Sequence, residues 1–554
     1  MILIEEKKSN KLPNITSLFV KVPFNKIIIE SIEQQQTYNY DKKTGVYELP
    51  ITRLFFLVNL LVKFDNVKYI PFNEIVESTN NCNNYSFKIK PYQHQLDAIN
   101  YGLNHNGWLL LDDCGLGKSA SMIYLAEILK EQEKINHCLI ICGVNGLKYN
   151  WASEVEKFSK LDYVILGQTI TKTGKNKISS VIERCKQLKN SIKEFFVITN
   201  IETLQSKEFA DAFNKSKNKF DMIVLDEAHR AKNPSSKSAK TLLKLKSSRN
   251  IALTGTVIMN NPENAYLPLK WTGNLNCTYS AFKNMYNVYG GFGGVQVIGY
   301  KNLNLLQEHI ASCSLRRLKE QVLDLPKKTY KIEYVEMGSK QRALYDNVEK
   351  GILEELDKLS IKKMTAMQEM TINIRLRQVT ACPSVLTTED VPSAKLDRLE
   401  DLVESITSQG DKVVVFCTFK KAVSDIQTRL SEYNPLVCTG DTLDYEINNN
   451  KKLFETNPTN KVMICTWQKM GTGHTLTSAN YVIFVDTPWT DADFQQCSDR
   501  IYRIGQSKPV FIITLITKDT YDERVQEIID NKEILSGYLV DRKECDLVQY
   551  IDYE

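Results

Sequence analysis

The sequence predicts an α/β protein with two parallel-sheet lobes, a small N-terminal α+β domain ahead of them and a helical bridge between them. Three observations carry this expectation. An apolar run at residues 109–111 enters a glycine-bearing loop and then a helical pattern to residue 130. A second apolar run, residues 220–225, ends on two carboxylates. Beyond a stretch of helical periodicity at residues 339–376, with no glycine after Gly351, five short apolar runs (412–416, 435–437, 461–465, 481–485 and 510–515) alternate with helical segments, as strands of a parallel sheet do. At 554 residues the chain is too long for one hydrophobic core, so several domains are expected.

The first run reads Leu109-Leu110-Leu111-Asp112-Asp113-Cys114-Gly115-Leu116-Gly117-Lys118-Ser119. Its Gly-Lys-Ser end has the parts of a phosphate loop. Gly115 and Gly117 let backbone N–H groups turn towards an anion, Lys118 reaches the β- and γ-phosphates, and the Ser119 hydroxyl can hold Mg²⁺. The helix after it, with Met122, Leu125, Ile128 and Leu129 on one face, points its positive end at the same place. A generic phosphate loop has glycine where this chain has Asp112. The second run, Phe220-Asp221-Met222-Ile223-Val224-Leu225-Asp226-Glu227-Ala228-His229, supplies what a nucleotide hydrolase needs next. Asp226 would hold Mg²⁺, and Glu227 would orient or deprotonate the attacking water. Together the two stretches point to a nucleoside triphosphatase that uses Mg²⁺.

At these residues the chain resembles the Swi/Snf-type ATP-dependent DNA translocases of helicase superfamily two. Their motifs Asp-Glu-x-Gly-Leu-Gly-Lys-Thr and Asp-Glu-x-His stand here as residues 112–119 and 226–229, with Asp113 for Glu and Ser119 for Thr. The resemblance accounts for Asp112 and implies a nucleotide-binding role for it. It also implies that the lobes are RecA-like, with ATP at their interface, and that the partner is double-stranded or forked DNA.

Residues 1–85 are expected to form the accessory domain. Residues 19–22 and 26–29 read as short strands, residues 38–50 as a hairpin and residues 51–64 as an amphipathic helix. The order of aromatics, Asp41, Gly45 and Pro50 is similar to the HepA-related repeat of annealing helicases, with Tyr47 where tryptophan is usual; a plain capping domain is the other reading. Residues 86–330 are assigned to lobe one. Within it the resemblance implies an adenine contact for Gln93, whose amide can donate and accept at once, and DNA contacts for Asn150 and Trp151. Trp151 also fits a core position. The strand at residues 195–200 would bring Thr199 to the DNA backbone, where contacts position without reading sequence. Leu253-Thr254-Gly255-Thr256 matches the family's third motif except that Val257 replaces proline; it implies that Thr254 and Gly255 couple His229 to the second lobe. Ser314-Leu315-Arg316-Arg317-Leu318-Lys319 resembles the segment that leaves lobe one, and reads equally as a solvated basic helix.

Residues 331–392 are assigned to the bridge, 393–540 to lobe two and 541–554 to a tail. In lobe two, Gln496-Cys497-Ser498-Asp499-Arg500-Ile501-Tyr502-Arg503-Ile504-Gly505-Gln506 resembles the family's most specific signature. Two arginines three apart share a helical face, so Arg500 and Arg503 are expected as arginine fingers on the γ-phosphate, with Gln496 coupling the lobes. In residues 470–477 the resemblance implies a nucleotide contact for Gly473 and a DNA contact for Thr472, although Met470 and Thr475 replace the family's glycine and asparagine. Thr490-Asp491 after Trp489 departs likewise from the usual Asn-Pro.

Composition narrows the class. The apolar share of 42% and charged share of 25% are those of an ordinary globular protein, and the longest apolar run is too short to span a bilayer. Met1-Ile2-Leu3-Ile4 meets Glu5-Glu6 at once, so no signal peptide is expected. The 13 cysteines show no Cys-x-x-Cys spacing and fit a reducing compartment; the chain is expected inside the cell, cytoplasmic if bacterial or viral and nuclear if eukaryotic. A net charge of +5 allows a local basic groove without arguing for one. Three functions follow in order of expectation: a DNA motor that remodels forks or anneals strands, a motor that displaces proteins from DNA, and an ATP-switched binding protein that does not move. Protein partners are not legible.

Overall fold

The structure, a computed structural model, describes residues 2–8, 16–34, 38–50, 53–61, 63–65, 67–70, 82, 85–143, 147–170, 176–231, 233–245, 247–255, 261–291, 293, 295–358, 366–470, 475–488 and 490–527. The chain forms two compact units, with the break between Val322 and Leu323.

The first unit opens with a five-stranded sheet in the order Asn39–Asp41, Val46–Pro50, Thr16–Lys21, Ile2–Lys8, Val67–Ile70. The first three pairings are antiparallel and the last is parallel. The hairpin at residues 38–50 is present, and the helix that follows it spans Leu54–Leu61. The strand expected at residues 26–29 is instead the start of a helix, Lys26–Glu33. Asn25 explains the difference: its side chain accepts from Ile27 N at 2.9 Å and Ile28 N at 3.4 Å, an N-cap that overrides the strand preference of three successive isoleucines.

The same unit holds a seven-stranded parallel sheet, ordered Ser314–Leu315, Gly107–Leu110, Arg249–Leu253, Phe220–Asp226, His137–Cys142, Phe196–Asn200, Tyr163–Ile165. These strands read as apolar runs because both faces are covered. Leu109, Leu139, Ile141, Val197, Ile223, Leu225 and Ala252 enter one core. Trp108, Leu110, Cys138, Ile140, Cys142, Ile198, Val224 and Ile251 enter the other. Cys138 and Cys142 thus share one buried face, as strand alternation requires.

The helix Leu303–Ser312 buries His309, whose Nε2 donates to the Asn274 carbonyl at 2.7 Å. Burial pushes its pKa down to about 4 from an ordinary 6.5. Below pH 6.5 the unfolded chain binds a proton that the folded one refuses, so stability falls as pH drops towards 4. The loss should approach roughly 3 kcal/mol across that window. Thermal melts of the wild type and of His309→Gln over pH 4–7 check this; parallel slopes would exclude His309 as the source.

The second unit carries a six-stranded parallel sheet, ordered Lys328–Val335, Val510–Thr517, Tyr481–Phe484, Val413–Cys417, Val462–Thr466, Leu436–Cys438. Its first strand was not expected from sequence. It pairs along its whole length with Val510–Thr517, so residue 330, the expected end of lobe one, lies inside the second unit. Helices Ser339–Lys358 and Ala366–Ala381 take the place of the bridge. Lys395 and Arg377 are buried in this unit. Lys395 Nζ lies 2.7 Å from Asp522 and donates to the Val485 carbonyl at 2.8 Å, while Arg377 lies 3.4 Å from Asp486. Among the described residues no helix is long and apolar enough to cross a membrane.

Candidate nucleotide site

Strands Gly107–Leu110, Arg249–Leu253 and Phe220–Asp226 are neighbours, and their register places Leu110 beside Leu253 and Leu253 beside Asp226. Their carboxyl ends therefore open at one edge of the sheet, where ligands of open α/β sheets bind. The phosphate loop follows the first, the acidic pair ends the third, and Thr254 leaves the second with its N–H donated to the Leu110 carbonyl at 3.1 Å.

The loop turns on glycine. Gly117 caps the helix Lys118–Glu131 with φ 77°, in the left-handed region that favours glycine. A Cβ there would also come within 2.3 Å of Gln95 Nε2. Lys118 Nζ donates to the Asp112 carbonyl at 2.7 Å and the Asp113 carbonyl at 3.3 Å. Ser119 is half-buried in the first helical turn.

The acidic pair lies across the same edge. Asp226 Oδ2 accepts from Trp151 Nε1 at 2.8 Å, and Oδ1 accepts from Glu227 N at 3.0 Å. Burial, with the Glu227 charge adding to it, pushes the Asp226 pKa up to about 6; the Trp151 hydrogen bond and the Lys118 charge oppose that rise. A half-buried carboxylate whose charge is disfavoured in this way gains from a cation. With the Ser119 hydroxyl it gives the oxygen donors that Mg²⁺ prefers, so Ser119 and Asp226 would hold the ion, which would supply charge neutralisation on the phosphates. Glu227 has φ 50°, unusual for a residue with a side chain. Its Oε2 lies 3.3 Å from His229 Nδ1, and that nitrogen lies 3.0 Å from Thr254 Oγ1. Gly143 closes the approach: a Cβ there would meet Glu227 Cβ at 2.6 Å. Gly255 lies against the loop, since a Cβ on it would come within 3.0 Å of Cys114 Sγ.

Several expected roles change. Trp151 is buried and tied to Asp226, so its side chain is not a DNA contact. The helix Leu147–Phe158 buries Leu147, Lys148, Trp151, Ala152 and Val155, one face at helical spacing, and leaves Asn150 half-exposed. Thr199 is buried, which removes its hydroxyl from a solvent-borne phosphate. Gln93 is exposed at the start of the helix Gln93–Asn104 and donates to Asp97 at 3.0 Å. Two neighbours that sequence reasoning passed over face the loop instead: His94 Nε2 lies 2.8 Å from the Leu116 carbonyl, and Gln95 Nε2 lies 3.4 Å from the same oxygen. The Asp112 carboxylate is taken by Arg317, with Nε to Oδ1 at 2.9 Å and Nη2 to Oδ2 at 2.5 Å. Its side chain therefore anchors the loop rather than binding nucleotide.

In the second unit the helix Asp491–Ser498 ends before either arginine. Arg500 and Arg503 lie in the turns after it, Arg500 buried and Arg503 half-exposed, so they share no helical face. Arg500 Nε donates to the carbonyl of Gln496, itself buried, at 2.9 Å. Lys451 is near both arginines: burial lowers its pKa first, and the Arg503 and Arg500 charges lower it further. Thr472 and Gly473 lie outside the described residues, as do Thr256, Val257 and Trp489.

The fold and the convergence of loop, acidic pair and histidine define the class: a phosphate-loop α/β protein of helicase superfamily two. A family model described as SNF2-related domain matches residues 55–385, more than half of the chain, and one described as Helicase conserved C-terminal domain matches residues 394–505. The chain belongs to the SNF2-related family. It is 26% identical over 506 residues to "Protein CHROMATIN REMODELING 24" of Arabidopsis thaliana, covering 81% of this chain and 46% of that one. It is 29% identical over 443 residues to "Uncharacterized ATP-dependent helicase MG018" of Mycoplasma genitalium, covering 78% and 40%. With "Putative ATP-dependent helicase/translocase YwqA" of Bacillus subtilis it shares 26% over 494 residues, 82% and 49%. The chain thus spans half or less of the length of these relatives. The solved "Sulfolobus solfataricus SWI2/SNF2 ATPase core in complex with dsDNA" aligns over 83% of this chain and 94% of that one, at 25% identity and a TM-score of 0.38.

Proposed function

We propose that the chain is a Mg²⁺- and ATP-dependent motor on double-stranded DNA, and that it acts at forks or junctions to remodel them or anneal strands. One observation carries the motor reading: Lys118, Ser119, Asp226, Glu227 and His229 come from separate stretches of the chain and open at one edge of one sheet. Lys118 and Ser119 bind the triphosphate and the ion, and Asp226 shares the ion. Glu227 prepares the attacking water. His229 and Thr254 relay the state of that carboxylate to the edge of the lobe, where Gly255 packs on the loop. DNA contacts fall mostly on phosphates, so binding should be independent of sequence and weaken steeply with salt.

Arg500 and Arg503 complete the reading as γ-phosphate contacts from the second lobe, with the Gln496 carbonyl holding the Arg500 guanidinium. Arg503→Ala should lower turnover by about 10³-fold while nucleotide affinity stays close to wild type. A loss confined to affinity would remove the finger role. The preference for forks rests on the N-terminal sheet and its HepA-like turn. It is tested by annealing of complementary strands on forked and blunt substrates; equal activity on both would leave a general duplex motor. Displacement of proteins from DNA is the second reading, favoured by the remodelling named for the Arabidopsis relative.

A further inference from the structure

We propose that Arg316 and Arg317 are positioning residues, a clamp through which the phosphate loop controls the segment by which the chain leaves the first unit. The inference rests on the reading of that loop as an ATP site.

The loop residues Asp112 and Asp113 are held twice. Their backbone carbonyls receive Lys118 Nζ. Their carboxylates receive the arginines: Arg317 grips Asp112 with two parallel bonds, and Arg316 Nη1 lies 2.8 Å from Asp113 Oδ1. The backbone repeats the tie. Leu111 N donates to the Leu315 carbonyl at 2.8 Å, Asp113 N to the Arg317 carbonyl at 3.1 Å, and Lys319 N to Asp113 Oδ2 at 3.0 Å. The same arginines reach further parts of the site. Arg316 donates to the Leu111 carbonyl at 2.5 Å and the Gly255 carbonyl at 3.3 Å, and Arg317 donates to the His94 carbonyl. Five residues beyond Arg317, at Val322, the chain leaves the first unit.

Burial decides what this arrangement does. Asp112 is 2% exposed, and an unpaired carboxylate there would be strongly unfavourable, so loop and segment must move together. An exposed ion pair would let go at little cost. The fork of arginine also fixes direction as well as charge, which lysine does not. When Lys118 is drawn from the Asp112 and Asp113 carbonyls to a phosphate, any shift of those two residues passes directly into residues 314–319. This gives the Asp112 and Asp113 carboxylates a function that phosphate binding alone does not require.

The test is hydrogen exchange at residues 314–322 of the full chain, with and without a non-hydrolysable ATP analogue, alongside analogue affinity and DNA-stimulated turnover. The wild type should show a nucleotide-dependent change in exchange there. Arg317→Met should bind the analogue, lose that change and lose about tenfold in stimulated turnover, within the usual range for coupled sites. Arg317→Lys, which keeps the charge but not the fork, should lie between them and guards against misfolding of the methionine variant. Analogue binding with an unaltered exchange response and turnover within about twofold of wild type in both variants would overturn the clamp. A wild type that binds no analogue would instead overturn the ATPase reading beneath it, and the clamp with it.

Discussion

Lys118→Ala is expected to abolish ATP hydrolysis, a fall on the order of 10³-fold for losing a charge aimed at the transferring phosphate. The lysine is the first residue of its helix, its two acceptors are loop carbonyls, and its charge already acts on Asp226. Truncation removes two hydrogen bonds to loop carbonyls and leaves the paired Asp112 and Asp113 carboxylates in place, so the fold should survive. Steady-state turnover with circular dichroism on the same sample checks both halves. Turnover near wild type would remove the phosphate loop from the account.

Glu227→Gln should separate binding from chemistry. The substitution keeps the shape of the side chain and its reach to His229, but the amide cannot take a proton from water. Turnover should drop by about 10²–10⁴-fold, the contribution of a positioned general base, while nucleotide affinity changes little. Trapping of bound, unhydrolysed ATP on the variant is the expected result. A variant that hydrolyses ATP normally would assign the base to another residue.

The centre of the site was legible because its chemistry and its strands share short stretches of sequence. Residues 109–119 and 220–229 each contain a buried parallel strand and the groups at its end, and apolar runs buried on both faces are hard to misread. What was not legible depends on longer range or on weaker local signals. Arg317 meets Asp112 from 205 positions away, so reading the arginines as a solvated helix or as an exit segment could not reveal the clamp. The core position of Trp151 was one of its two readings from sequence, and Leu147, Trp151 and Val155 at successive four-residue steps, the mark of a buried helical face, favour it over the DNA contact. The capping asparagine before Lys26–Glu33 was likewise visible but outweighed by three isoleucines. The strand Lys328–Val335 escaped because an edge strand with one open face alternates lysine, glutamate and tyrosine with few apolar residues. Arg500 and Arg503 were placed on a helix by their spacing, yet that helix stops at Ser498 and the turn after it carries Gly505 at φ 100°.

In the proposed function, ATP hydrolysis at this sheet edge is driven by double-stranded DNA. Turnover measured at one low salt concentration with no nucleic acid, single strand, duplex, fork and RNA tests it most directly. Strong stimulation by duplex and fork, lost as salt is raised and absent in Lys118→Ala, is the predicted result. A rate that is the same with and without DNA, or that rises with RNA alone, would contradict it.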